Sequence, residues 1–138
     1  MPRYLPFRIV FSGAVLAAGL LALAGCARKE PFADSDRTTL REGIMRGEAR
    51  TVTVDDLFQA HNWAFEGQGG EQIVVQVVSS GEADPRFAVY SPSYAVVAED
   101  DDSGGTPNAV AVVDLPESGT YIIRVMFWAP GEYTISVD

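Results

Sequence analysis

The sequence is poor in the residues on which much enzymatic chemistry is built. It contains one cysteine, Cys26, and one histidine, His61. That is too few for the clustered cysteine and histidine spacings of a zinc site. A Ser-His-Asp arrangement would need His61 beside a serine and an acid. Yet His61 stands next to Asn62 at the start of a strand pattern, a common place for a surface residue. No glycine-rich, phosphate-cradling loop occurs. Cations are scarce as well. From Thr51 onward, Arg86 and Arg124 stand against fourteen Asp and Glu residues, a net charge of −12. Such a portion is repelled by nucleic acid and by anionic lipid surfaces, which excludes nucleic acid as a partner. The charge serves either solubility alone or the attraction of cations and basic partners.

Long apolar runs are also lacking, with one exception. Arg3 and Arg8 precede an uncharged apolar stretch from Ile9 to Ala24, which ends in "LAGC", Leu23 to Cys26. The stretch is shorter than the ~20 residues of a comfortable membrane span. With its basic start and small-residue end it reads as a secretory signal peptide over residues 1–25. "LAGC" resembles the lipobox of bacterial lipoproteins. That resemblance implies a diacylglyceryl group on the Cys26 sulfur, cleavage between Gly25 and Cys26, and acylation of the new amino terminus. Two or three acyl chains hold a protein stably where one does not. The alternative is a free thiol at the end of an uncleaved helix. Ala27 stands where an aspartate would, by the same resemblance, favour retention in the inner membrane. The implied address is therefore the cell envelope, on the outer membrane facing the periplasm if the cell has one.

Residues 26–39 are polar and contain Pro31, and they read as a flexible tether. Thr39 and Glu42 form a weak capping signal for a short helix, which Gly43 and Gly47 would keep from growing. Beyond it the pattern has period two. "YTISVD" puts Tyr133, Ile135 and Val137 on one face, "YIIRVMF" does the same with Tyr121, Ile123, Val125 and Phe127, and "EQIVVQVV" with Ile73, Val75 and Val77. Alternation of this kind marks half-buried strands. Turn sequences such as "GQGG", "SPS", "DDDSGGTP", "PESG" and "APG" separate them. The pattern predicts an all-β, antiparallel β-sandwich, jelly-roll or immunoglobulin-like, of about seven or eight strands over residues 40–138. Its strands fall near 43–54 (a stretch open to division in two), 61–66, 71–79, 86–90, 94–99, 109–115, 120–128 and 132–138.

An ordered series of segments carries a second resemblance: "WAFEGQGGEQIVVQV", "ADPRFAVYSP", "VVAEDDDSGG", "LPESGTYIIRV" and "GEYTISV". Together they make the run from about Leu40 to Asp138 similar to the bacterial pre-peptidase C-terminal domain. This family is a β-sandwich usually appended to secreted peptidases and itself non-catalytic. Some members bind calcium and some help engage polymeric substrates. Here the domain follows a lipoprotein-type leader, and His61 occupies a position that is often acidic in the family. The role of a peptidase appendage is therefore not carried over. "ESGTY" also resembles the corner of immunoglobulin-type sandwiches, in which the Tyr121 hydroxyl would bond back to the backbone near Asp114–Pro116.

The acidic loop "AEDDDSGGTPNA" holds the candidate chemistry. Adjacent carboxylates repel one another, and a cation relieves that repulsion. Calcium takes six to eight oxygen ligands in loose geometry. Asp100, Asp101 and Asp102 would supply carboxylates, Ser103 to Thr106 carbonyls, and Asp84 or Asn108 the remainder. The competing reading is a solvated loop, because strand alternation sends neighbouring side chains to opposite faces. Trp63 and Phe65 share one strand face, and the Tyr121/Phe127 face reads as core. Trp128, with Met126 beside it, falls on the opposite face as a candidate contact surface. The reading that results is a lipid-anchored, non-catalytic binding module whose partner is an envelope protein, peptide or glycan. Its rivals are a small hydrolase using two carboxylates ~5–10 Å apart in a concave site and a purely structural envelope protein.

Overall fold

The computed structural model describes residues 38–56 and 59–138. Cys26, the leader and most of the expected tether lie outside them. Every regular element among the described residues is a strand, and none of them forms a helix long and apolar enough to cross a membrane. In chain order these are β1 (Thr38–Gly43), β2 (Glu48–Val54), β3 (Ala60–Gly67), β4 (Gln72–Ser79), β5 (Pro85–Tyr90), β6 (Val96–Asp100), β7 (Ala109–Asp114), β8 (Gly119–Phe127) and β9 (Gly131–Val137). They form a five-stranded sheet, β1-β3-β8-β5-β6, packed on a four-stranded sheet, β2-β9-β4-β7. Each pairing is antiparallel except that of β1 with β3, which is parallel.

The expected sandwich is therefore present, with three local corrections. The stretch near 43–54 holds one full strand, β2, while the first strand, β1, lies earlier, at Thr38–Gly43, and belongs to the other sheet. The chain turns at 44–47, and Ile44 is buried between the sheets with its N–H on the Ala64 carbonyl at 2.9 Å. Thr39 and Glu42 start no helix, because residues 38–43 gain a ladder along β3 and the sheet outweighs a weak local cap. The strand expected from residue 94 begins at Val96. Tyr94 sits in the left-handed region at φ 63°, where the 91–95 turn closes through Ser91 N–H to the Ala95 carbonyl at 2.8 Å.

Alternation fills the core as anticipated. Tyr121, Ile123 and Val125 of β8, Ile135 and Val137 of β9, and Val75 and Val77 of β4 are wholly enclosed. The Tyr121 hydroxyl donates to the Glu117 carbonyl at 2.6 Å and accepts from the Glu117 N–H at 3.2 Å. The corner forms, but one residue beyond the expected 114–116 segment. Phe65 stacks on the Tyr121 ring, with centroids 5.3 Å apart.

His61 departs most from expectation. It is 3% exposed, because it shares the inward phase of β3 with Trp63 and Phe65. Trp63 Nε1–H donates to Tyr133 Oη at 3.0 Å, and His61 Nδ1 lies 2.8 Å from the same oxygen. Both partners are satisfied when the Tyr133 hydroxyl donates to an unprotonated Nδ1, which requires a neutral imidazole. Burial lowers the His61 pKa from 6.5 to about 4 and raises that of Tyr133. An imidazole in an unfolded chain titrates near 6.5, so the unfolded state takes up the proton first as pH falls. The stabilisation is complete above pH 6.5 and is lost through the window from 6.5 to about 4, amounting to roughly 3 kcal/mol. Thermal melts across that window should show the melting temperature falling with pH. A His61→Phe variant should show a flatter dependence, and parallel profiles would contradict the account.

Candidate functional site

Strand register gathers the site at one end of the five-stranded sheet. Phe87 of β5 pairs with Asp100 of β6, and Arg86 pairs with Met126 of β8. The β4–β5 turn, the β6–β7 loop and the β8–β9 turn therefore converge. Two contacts fix them. The Trp128 N–H donates to the Asp84 carbonyl at 2.9 Å. At Gly131, φ is +152°, and a Cβ there would lie 2.5 Å from the Ala83 nitrogen. Glycine is thus required for the β8–β9 turn to lie against the β4–β5 turn.

Within this frame the four candidate acids divide. Asp84, Asp101 and Asp102 each bring a carboxylate oxygen within 4.8 Å of the others. Asp100 does not join them. Its carboxylate accepts from the Ser103 N–H at 3.0 Å, the Val110 N–H at 2.8 Å and the Ser103 hydroxyl. Loss of hydration pushes the Asp100 pKa up, but these donors, with the Asp101 N–H, outweigh it and hold the carboxyl below its usual range. Asp100 thus organises the loop. Asn108 has a similar duty, its Oδ1 accepting the Ser79 N–H at 2.9 Å. Both side chains therefore hold the loop through backbone N–H groups. Asp101 behaves in the opposite way. Lost hydration, then the charges of Asp102 and Asp84, raise its pKa, while Arg86 opposes the rise.

Sequence reasoning missed Arg86 as part of the site, although it is one of two cations after Thr51. Its guanidinium lies 4.6 Å from the centroid of the Trp128 ring and 3.9 Å from the Met126 sulfur. Trp128 is 58% exposed, whereas Met126 is half-buried beneath the guanidinium. The expected pair is therefore an Arg86–Trp128 stack on a Met126 base, worth about 0.5–1 kcal/mol at such an exposed place. Beside it runs an open groove of about 410 Å³, lined by Arg86, Ala88, Glu99, Asp101 and Met126 among others.

A larger hollow of about 580 Å³ lies at the other end, around Gly43–Arg46 and Ala64–Glu66. Of its charges, Arg50 pairs with Glu48 at 2.7 Å and Arg46 with the nearby Glu71 at 3.3 Å, while Glu66 accepts from the Thr120 hydroxyl. Among the described residues the three acids that crowd within 4.8 Å of one another are those of the tip. As a test of the loop assignment, Asp100→Asn should cost about 1 kcal/mol, the low end for a charge-assisted network open to solvent. Hydrogen exchange should rise at the Ser103 and Val110 amides. Unchanged exchange there would reject the role given to Asp100.

No family model matches the chain, and no curated protein matches it. Solved structures do. The pre-peptidase C-terminal domain of collagenase from Bacillus anthracis is 14% identical, with 72% of this chain and 96% of that one covered at a TM-score of 0.62. A periplasmic inhibitor of g-type lysozyme from Aeromonas hydrophila is 16% identical, with 74% and 98% covered at a TM-score of 0.51. At such identities the likeness is one of fold, and the sandwich implied by the sequence resemblance is the fold observed: that of a pre-peptidase C-terminal domain.

Proposed function

We propose that the protein is a lipid-anchored, non-catalytic binding module of the cell envelope, and that it engages a basic protein or peptide through the tip formed by Asp84, Asp101, Asp102, Arg86 and Trp128. The observation that carries this reading is an exposed tryptophan beside three crowded carboxylates on an otherwise well-packed sandwich. An exposed aromatic flanked by charge is a common anchor in recognition surfaces. The fold neighbours agree in kind, since one is a periplasmic inhibitor of lysozyme and so acts on a protein partner. Anchoring rests on the leader and the "LAGC" sequence ending at Cys26.

A hydrolase finds less support here. Asp100 is committed to the loop, and His61 is enclosed in the core.

The test is photo-cross-linking from the tip in intact cells, followed by pull-down. Wild type should capture a basic envelope protein, and Trp128→Ala or the Asp101→Asn/Asp102→Asn pair should weaken binding at least tenfold. A glycan-only adduct, or identical capture by all variants, would overturn the assignment. Cys26→Ser should release the chain from the membrane fraction without altering the fold.

A divalent cation held by Asp84, Asp101 and Asp102 forms part of the proposal. These side chains supply three ligands, so loop carbonyls and water would make up the six to eight that calcium takes. The rise in the Asp101 pKa comes first from lost hydration and then from the charges of Asp102 and Asp84, and it is this second, smaller part that such an ion would relieve. Calcium should raise the melting temperature by several degrees over chelator, and Asp101→Asn should abolish the difference. Equal melting temperatures in the wild type would remove the ion from the proposal.

A further inference from the structure

In a two-layer sandwich the outward residues of each sheet face water, and alternation leaves them exposed or half-buried. The smaller sheet obeys this. None of its outward residues, from Thr51 and Thr53 of β2 through Thr134, Ser136 and Gln76 to Val112 of β7, is buried. The larger sheet does not. Ala60 and Asn62 of β3, Arg124 of β8 and Ala88 of β5 point away from the core, since Trp63, Ile123, Val125, Phe87 and Val89 beside them point into it. Yet each of the four is 8% exposed or less. Asn62, Arg124 and Ala88 pair in one row across three strands, and Ala60 adjoins it. All nine strands among the described residues belong to the two sheets, so none of them forms a third layer over this patch.

Cations gather on the same face. Arg86 and Arg124, the two that follow Thr51, both project from it, and Arg41 pairs with Asn62 on its β1 side. Glu66 and Glu99 stand at its margins. Arg124 Nη1 donates to Asn62 Oδ1 at 3.2 Å and to Thr38 Oγ1 at 3.1 Å. A carboxylate is the group that best suits an enclosed guanidinium. Thr38 is also where β1 begins, so the preceding chain reaches the sheet at Arg124 itself. Directly before Thr38 stands "EPFADSDR", residues 30–37, with the acids Glu30, Asp34 and Asp36.

We infer that the outer face of the larger sheet is the docking site of residues 30–37 of the same chain, with the carboxylates of Asp34 and Asp36 turned to Arg124 and Arg41. The reach is sufficient. Neighbouring strands lie about 4.8 Å apart, so crossing from β1 to β5 takes about 14 Å, or roughly four to five extended residues. Ala60 and Ala88 leave room for a chain to lie over them, and Phe32 supplies apolar cover. Charge and attachment together select this occupant over a foreign acidic peptide. A body of net −12 repels free acidic chains, whereas an attached segment acts at an effective concentration in the millimolar range. Docking leaves residues 27–29 as the spacer from Cys26, about 10 Å when extended. On the proposed anchoring, the sandwich is then held close to the bilayer.

Full-length protein in its own membranes provides the test. Ala88→Cys should react with a maleimide about tenfold more slowly than Val112→Cys on the bare sheet, because labelling waits on local opening. Peptide mapping separates either label from Cys26. Adding Asp34→Asn and Asp36→Asn should remove most of the difference and leave the Val112→Cys rate unaltered. Slow labelling of Ala88→Cys in both backgrounds would mean a different cover, and equal rates at the two sites in the parent chain would mean none. Either result overturns the proposal. A second measurement avoids the cysteines. In Arg124→Lys, which keeps the charge, a zero-length carbodiimide should join the new amine to Asp34 or Asp36 within one chain. A cross-link to another protein, or to neither acid, would equally refute it.

Discussion

The two sheets meet at one buried oxygen. Tyr133 Oη belongs to β9 of the smaller sheet, and both groups that contact it, Trp63 Nε1–H and His61 Nδ1, belong to β3 of the larger one. A wholly apolar seam tolerates small slides between sheets, since hydrophobic burial has no direction. A donor and acceptor enclosed within that seam do not. Displacing either by an ångström or so would leave a buried polar group unpaired, at about 1–3 kcal/mol. β9 transmits this fixed position to β2 and β4, with which it pairs, and β3 transmits it to β1 and β8. Phe127, the residue before Trp128, packs against both partners, with ring centroids 5.2 Å from His61 and 5.0 Å from Tyr133. The contact that aligns the sandwich therefore lies directly beneath the exposed tip.

That position explains how a small sandwich holds an unfavourable arrangement of charge. Asp84, Asp101 and Asp102 sit on turns, where strand pairing alone would not keep them together. They are held by backbone: Trp128 N–H to the Asp84 carbonyl on one side, and the Asp100-centred network on the other. Because the restraining bonds are made by neighbours rather than by the clustered carboxylates, those carboxylates stay free for an incoming cation or basic group. Arg86 moderates the field without cancelling it, since its guanidinium is turned to the Trp128 ring. A basic partner would meet both the carboxylates and an aromatic face already accustomed to a cation.

The fold was legible in the sequence because period two recurs in nearly every strand and turn residues punctuate it. What escaped was set by long-range pairing. The placement of β1 and β2 in different sheets depends on where they find partners, at least 21 residues away in sequence, and no local pattern encodes that. His61 was misplaced although its own phase, two and four residues before Trp63 and Phe65, assigned it inward; its polarity obscured the pattern. At the site, Asp84 and the 101–102 pair were identifiable as acids beside turns. The separate duty of Asp100 was not, because it depends on the Val110 amide reaching it across the loop. Arg86 gave one signal, its rarity as a cation.

The low identity to the fold neighbours fits this division of labour. A sandwich needs only inward-facing apolar residues at alternate positions and turns at suitable spacing, and many sequences provide both. Identities of 14% and 16% over more than nine-tenths of the neighbours' length are thus compatible with one architecture and different partners. Partner choice must then reside in what the architecture leaves unconstrained: the turn that carries Trp128, the loop that carries Asp101 and Asp102, and the charge of the edges. In this chain those elements differ sharply from one another. The acidic, aromatic tip and the largely uncharged β7 strand present different chemistry on one core, so it is turns and loops rather than the packed interior that distinguish this sandwich from its fold neighbours.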